Sequence, residues 1–126
     1  MINPYLYPGL VMAPKKFRMT QTRKVFIQYA KAVCDEYHVT PTELKSRSRF
    51  ADVRVPRQIL QTLLRLSTGM STTEIGLMVG KRDHATVLHS VKAVKAQYQT
   101  DNVYREKLNN VIFAIGGDHI REKLMR

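Results

Sequence analysis

Arg82, Asp83, His84, Ala85 and Thr86 stand in one row at a predicted helix start. Their chemistry suits the edges of nucleic-acid bases. An arginine fork can hold guanine O6 and N7, a carboxylate can accept from cytosine N4, and Ala or Thr methyls can pack on a thymine methyl. The positive end of a helix dipole favours phosphate at the same place. Other chemistries fit these residues poorly. His84 and His89 are five positions apart, so they do not share a helix face as an i, i+4 pair would. No carboxylate or thiol completes a metal site with them. Gly76 to Arg82 has the look of a phosphate-binding loop, but three residues separate its glycines where that loop needs four. Arg82 also stands where a Ser or Thr is required, and no strand precedes the segment. With no nucleophile–base constellation either, the expectation is no catalytic residue, no metal, no cofactor and no enzyme activity.

The elements that must position this row read as helices throughout, so the expected fold class is all-α with a helix-turn-helix. Phe26, Tyr29, Val33 and Tyr37 recur at helical steps from a start near Thr22. Thr40-Pro41-Thr42-Glu43 has the form of a capping box with proline at the first helical position, opening a short helix through Leu44. Lys45 to Arg54 is the least helical basic stretch, and Pro56 is expected to restart a helix carrying Ile59, Leu60, Leu63, Leu64 and Leu66 inward until Gly69. Ser71-Thr72-Thr73-Glu74 is a second capping box, before a short helix to Val79 and a left-handed turn at Gly80. The following helix, from about His84 to Gln99, should turn Val87, Val91, Val94 and Tyr98 to the core. His84, Thr86, His89, Ser90, Lys92 and Lys95 would lie elsewhere on it, with His89 partly packed. Val103 begins a helix burying Leu108, Val111, Ile112 and Ile115; after Gly116-Gly117, Asp118 would cap a last one bearing Ile120 and Leu124. Two helices joined by a short glycine-containing turn, at 71–79 and 84–99, have helix-turn-helix proportions.

Charge points the same way. The 126 residues carry 21 Lys and Arg against 10 Asp and Glu, a net +11, which usually marks an anionic partner. Residues 1–24 carry a net +5 and residues 45–95 a net +7, whereas 25–44 carry −2 and 96–126 carry +1. A merely solvated surface would spread the excess. The lone Cys34 falls in an apolar helical pattern and reads as a buried reduced thiol; Asp35-Glu36 read as solvated at a helix end. No apolar run is long enough to span a membrane, and Pro4, Pro8 and Pro14 break the start, which does not read as a secretory signal.

The run from Glu74 to His89, Glu-Ile-Gly-Leu-Met-Val-Gly-Lys-Arg-Asp-His-Ala-Thr-Val-Leu-His, closely resembles the signature of the C-terminal DNA-binding domain of the DnaA family of bacterial replication initiators. Pro56-Arg57-Gln58 and Thr42-Glu43-Leu44 followed by a basic loop fit the same family, and the likeness covers about residues 22–115. The resemblance implies that Asp83, His84 and Ala85 read bases in the major groove, with Thr86 and Lys92 close to the duplex. It implies that Arg57, Gln58, Arg65 and Ser71, Thr72 and Thr73 hold phosphates. Lys81 and Arg82, in the turn before Asp83, are counted with the expected DNA-contacting residues. Either Arg47 or Arg49, with Arg49 preferred, would enter the adjacent minor groove. Three positions depart from the family pattern: Ala85 replaces a hydroxyl residue, Lys81 stands where glycine is common, and the basic loop is longer.

These implications give a domain plan: an irregular proline-containing basic arm at 1–21, the DNA-binding domain at 22–115 and a short helical extension at 116–126. The arm would either remain irregular or be ordered, packing Tyr5, Leu6 and Tyr7 on the body or laying its lysines on phosphate. The expected partner is double-stranded DNA with a TTATCCACA-like DnaA box, in replication initiation or transcription control. Replication or transcription proteins are further partners, and the expected location is the cytoplasm, at the nucleoid. A full initiator carries an ATPase module upstream; this chain has a short arm there, so no nucleotide partner is expected. The alternative is a protein–protein adaptor that presents the same basic helical face to an acidic partner.

Overall fold

Two reciprocal capping boxes fix the starts of the shortest helices. The Glu43 N–H donates to Thr40 Oγ1 at 3.1 Å, and the Thr40 N–H donates to Glu43 Oε1 at 2.9 Å. Ser71 and Glu74 repeat the pattern at 3.1 and 3.2 Å. Each pair satisfies amide groups that a first helical turn leaves free. Helices of five and seven residues, too short to persist alone, therefore begin at defined places.

The computed structural model describes residues 15–126, with side chains from residue 21 onward. Among these residues there are seven helices and no strand: α1 Lys15–Tyr37, α2 Pro41–Lys45, α3 Ala51–Ser67, α4 Thr72–Met78, α5 His84–Thr100, α6 Asn102–Ala114 and α7 Asp118–Met125. None of the described helices is long and apolar enough to cross a membrane. The centre is α3, which packs against α1, α2, α4, α5 and α7. Its Ile59, Leu60, Leu63 and Leu64 are all at most 1% exposed. Around them close Val33 of α1, Leu44 of α2, Ile75 of α4, Val87 and Val94 of α5, Leu108 and Ile112 of α6, and Ile120 and Leu124 of α7. Buried Tyr98 donates its hydroxyl to Asn109 Oδ1 at 2.6 Å, tying α5 to α6.

Several elements differ from the sequence reading. α1 begins at Lys15, upstream of Thr22, because nothing after Pro14 interrupts helix formation. Expectations about Tyr5, Leu6 and Tyr7 lie outside the described residues. α1 ends with His38 in the left-handed region at φ 56°, and the Val39 N–H reaches back to the Cys34 carbonyl at 3.3 Å. α3 starts at Ala51, so Pro56 lies inside the helix. It removes only the amide that would have met the Asp52 carbonyl, and Asp52 is exposed, where water can serve that oxygen. Ser90 is buried on α5, its hydroxyl returned to the Thr86 carbonyl at 3.0 Å, whereas His89 is exposed. Cys34 is half-buried, and burial pushes its thiol above the ordinary value, with Asp35 and Glu43 adding to the shift. Gly117, not Asp118, is the cap of α7.

The C-terminal helix belongs to the core. Gln99 Nε2 donates to the Leu124 carbonyl at 2.8 Å and Lys123 Nζ to the Leu66 carbonyl at 2.6 Å, while Ile120 and Leu124 are fully buried. Leu124→Ala should therefore lower the free energy of unfolding by about 2–5 kcal/mol. Met125→Ala, at a side chain 56% exposed, should change it by less than about 0.5 kcal/mol. Urea denaturation of the two variants checks this; equal small effects would place α7 outside the cooperative unit.

Candidate nucleic-acid interface

The turn between α4 and α5 is built by close backbone approach. Gly80 and Lys81 both take left-handed conformations, at φ 79° and 58°. The chain then doubles back, and the Arg82 N–H donates to the Gly76 carbonyl at 2.7 Å. A Cβ on Gly76 would collide with the Arg82 carbonyl oxygen, and one on Gly80 would lie 2.6 Å from the Lys45 carbonyl oxygen. Glycine is required at both positions for that reason. Buried Ile75, Val79 and Val87 hold the two helices together beneath the turn. Asp83 then caps α5, accepting the Thr86 N–H on Oδ1 at 2.8 Å.

The basic loop lies against this turn and is stitched internally. Ser46 Oγ donates to the Glu43 carbonyl at 2.7 Å and accepts the Ser48 N–H at 3.3 Å; Ser48 Oγ accepts the Phe50 N–H at 3.3 Å. Two guanidinium groups brace it from behind. Arg57 donates from Nε to the Leu44 carbonyl at 2.9 Å, from Nη1 to the Ser48 carbonyl at 2.9 Å and from Nη2 to Ser46 Oγ at 3.5 Å. Arg82 donates from Nη2 to the Ser46 carbonyl. Burial lowers the pKa of both arginines from their ordinary values. Neighbouring positive charge adds to this, from Arg82 on Arg57 and from Arg47 and Arg49 on Arg82.

The expected site residues divide into two groups. Asp83, His84, Ala85 and Thr86 form an exposed row at the start of α5, with Lys81 exposed before them and Lys92 exposed farther along the helix. Arg47 and Arg49 are exposed on the loop, and Lys45, which opens the basic stretch at the end of α2, is exposed too. Thr73 is exposed, Thr72 half-buried, and Ser71 is exposed with its hydroxyl engaged in the capping box. Arg65 is exposed and sends Nη1 to the Met70 carbonyl at 3.2 Å, beside the start of α4. Gln58 is half-buried. Arg57 is different. It is only 7% exposed and sends Nε, Nη1 and Nη2 to the loop, which gives it the geometry of a brace. Arg82, half-buried, likewise points away from the exposed row. Sequence reasoning missed Ser46 and Ser48 as loop stitches and Asp83 as a cap. The Asp83 signal was present as an Asx residue three before Thr86 at a helix start.

Two consequences can be measured. The Thr86 N–H and hydroxyl hold the Asp83 carboxyl below the usual carboxylate range. A depressed folded-state pKa gives stability that is complete above the unfolded value and is lost as pH falls through the folded one. Asp83→Asn caps a helix comparably but cannot titrate, so its melting temperature should fall less steeply below about pH 4 than that of the parent. At Lys81, a left-handed side-chain residue is strained, so Lys81→Gly should raise stability by about 1 kcal/mol in urea denaturation. A destabilisation there would show that Lys81 makes a compensating contact.

Comparison with known proteins places this geometry. The family model described as the bacterial dnaA protein helix-turn-helix matches residues 28–94, which includes the basic loop, the turn and most of α5. The chromosomal replication initiator protein DnaA of Thermomicrobium roseum is 43% identical over 74 residues, covering 59% of this chain and 16% of that protein. That of Bacteroides fragilis is 37% identical over 79 residues, covering 63% and 17%. That of a Geobacter species is 32% identical over 98 residues, covering 77% and 21%. The match thus spans only about a fifth or less of the length of these relatives. Since the family model covers more than half of its residues, the chain belongs to the bacterial DnaA helix-turn-helix family.

Proposed function

We propose that this chain binds double-stranded DNA in a sequence-specific manner, with the start of α5 in the major groove and an arginine of the basic loop in the adjacent minor groove. The observation that carries the reading is the exposed row Asp83, His84, Ala85 and Thr86, on a helix whose opposite side is locked into the core by Val87, Val94 and Tyr98. A reading helix needs its base-facing groups free and its back immobile. Asp83 accepts the cap hydrogen bond on Oδ1, and an exposed carboxylate has acceptor capacity beyond that for a base donor such as cytosine N4. His84 and Thr86 supply further polar groups, and Ala85 supplies a methyl.

Phosphate anchoring falls to the exposed cations and polar groups flanking this row: Lys81, Lys92, Arg65, Thr73 and the start of α4, with Gln58 behind them. These groups set register and supply salt-dependent affinity without sequence information. Arg49 or Arg47 is the minor-groove residue, and Arg57 contributes by holding the loop that carries both. The target is a TTATCCACA-like DnaA box, and the role is in replication initiation or in transcription control at such boxes. The family membership and the initiator names of the relatives support this reading.

Fluorescence anisotropy tests it, comparing labelled duplexes that contain TTATCCACA or a scrambled sequence at near-physiological salt. A preference of about a thousandfold or more for the box is expected. His84→Ala should reduce that preference by about tenfold to a hundredfold while leaving binding to the scrambled duplex nearly unchanged. Equal affinity for both duplexes would reject box recognition, and loss of all duplex binding would favour an acidic protein partner for the same face.

A further inference from the structure

We propose that Arg82 is a positioning residue: it locks the basic loop in register with the start of α5 and reads no base itself. The proposal rests on the duplex reading above, and it assigns to Arg82 a role different from that of its neighbours in the exposed row.

The geometry comes from one residue lying on both reading elements. The Arg82 backbone belongs to the turn, anchored by its N–H on the Gly76 carbonyl at 2.7 Å, and it immediately precedes the capping Asp83. Its side chain crosses to the loop and donates to the Ser46 carbonyl, 36 positions earlier in the chain. Its Nε is enclosed without a protein acceptor, so the guanidinium points inward toward the loop and not out toward a groove. Arg57 ties the same loop to α3. Arg82 is the side chain that ties it to the entry of α5, next to the backbone approach of Gly80 on Lys45.

Charge makes this tie necessary. Arg82 lies within electrostatic reach of Arg57, Arg47 and Arg49. Among the described residues the ion pair present is Lys31 with Asp35, which involves none of these arginines. Without an acid among them, like-charge repulsion drives the loop arginines away from the turn. The hydrogen bond from Arg82 to a neutral carbonyl opposes that drift without consuming either exposed arginine. A loop held in place before the duplex arrives avoids the ordering cost of fixing it on binding. The offset between the loop arginine and α5, which two adjacent grooves require to be constant, is then a property of the free protein.

Amide hydrogen exchange and box binding of the full chain decide the matter, using Arg82→Ala and Arg82→Lys alone and each combined with Arg49→Ala and Arg47→Ala. In the free protein, Arg82→Ala should speed exchange of the amides between residues 46 and 50 while α3 and α5 keep their protection. On DNA it should weaken box binding by about tenfold, and removing both loop arginines in that background should cost much less than it does in the parent. Arg82→Lys keeps the charge and one donor, and should keep the parent salt slope with intermediate loop protection. It also serves if the alanine variant does not fold. Unchanged loop exchange, combined with lost discrimination at a single base pair and full additivity with the loop arginines, would overturn the proposal in favour of direct base reading. If the parent binds no duplex, the DNA reading fails, and the exchange data still decide whether Arg82 holds the loop.

Discussion

Carbonyl oxygens of residues 44, 46 and 48 face two guanidinium groups, and the arrangement of the candidate interface depends on that contact. A short loop rich in arginine has strong reason to open: its charges repel and its backbone makes no helix or sheet ladder. Arg57 and Arg82 supply donors to the loop backbone from the side facing the protein. The loop's own arginines, Arg47 and Arg49, are then exposed. The same residue types thus divide into braces and presenters, and burial separates them. A buried arginine without an acid partner is costly, and here its partners are neutral carbonyls and a serine hydroxyl, which satisfy donors without cancelling the positive field outside.

The core explains why such a loop can be held at all. α3 is surrounded by five other helices, and Arg57 projects from this central helix. α5 is immobilised along its length by Val87, Val94 and Tyr98 and at its end by α7. The two short helices α2 and α4 add little stability by themselves. They serve as rigid spacers whose ends are set by capping boxes, one leading into the basic loop and the other into the turn. Gly76 then lets α4 meet the turn at Arg82, and Gly80 lets the turn meet the end of α2 at Lys45, each at backbone distance. Loop, turn and recognition row become one surface built on a fixed frame.

The parts of this arrangement legible in the sequence are those made by nearby residues. The Thr40/Glu43 and Ser71/Glu74 boxes, the left-handed Gly80 and the apolar faces of α3, α5 and α6 rest on spacings of two to four residues, and each stands where the pattern put it except Val91, expected in the core and only half-buried. Part of what the pattern missed is made at a distance. Arg57 reaches a carbonyl 13 positions away and Arg82 one 36 positions away, so both looked like free cations. Ser90 looked like surface because serine is commonly exposed, yet its hydroxyl can be satisfied by its own helix and buried. Pro56 looked like a helix start, a position it often takes, whereas the helix runs five residues ahead of it. The last helix looked like an appendage because Ile120 and Leu124 form no extended pattern; packing against α3, α5 and α6 reveals them as core.

The central claim is that the loop and the start of α5 act together as one duplex-reading surface. It is tested most directly by following backbone amide resonances of the chain during titration with a TTATCCACA duplex. Residues 45–50 and 81–86 should shift together, saturate at one duplex per chain, and respond far less to a scrambled duplex. Shifts confined to one of the two segments, or centred elsewhere on the helical surface, would contradict it.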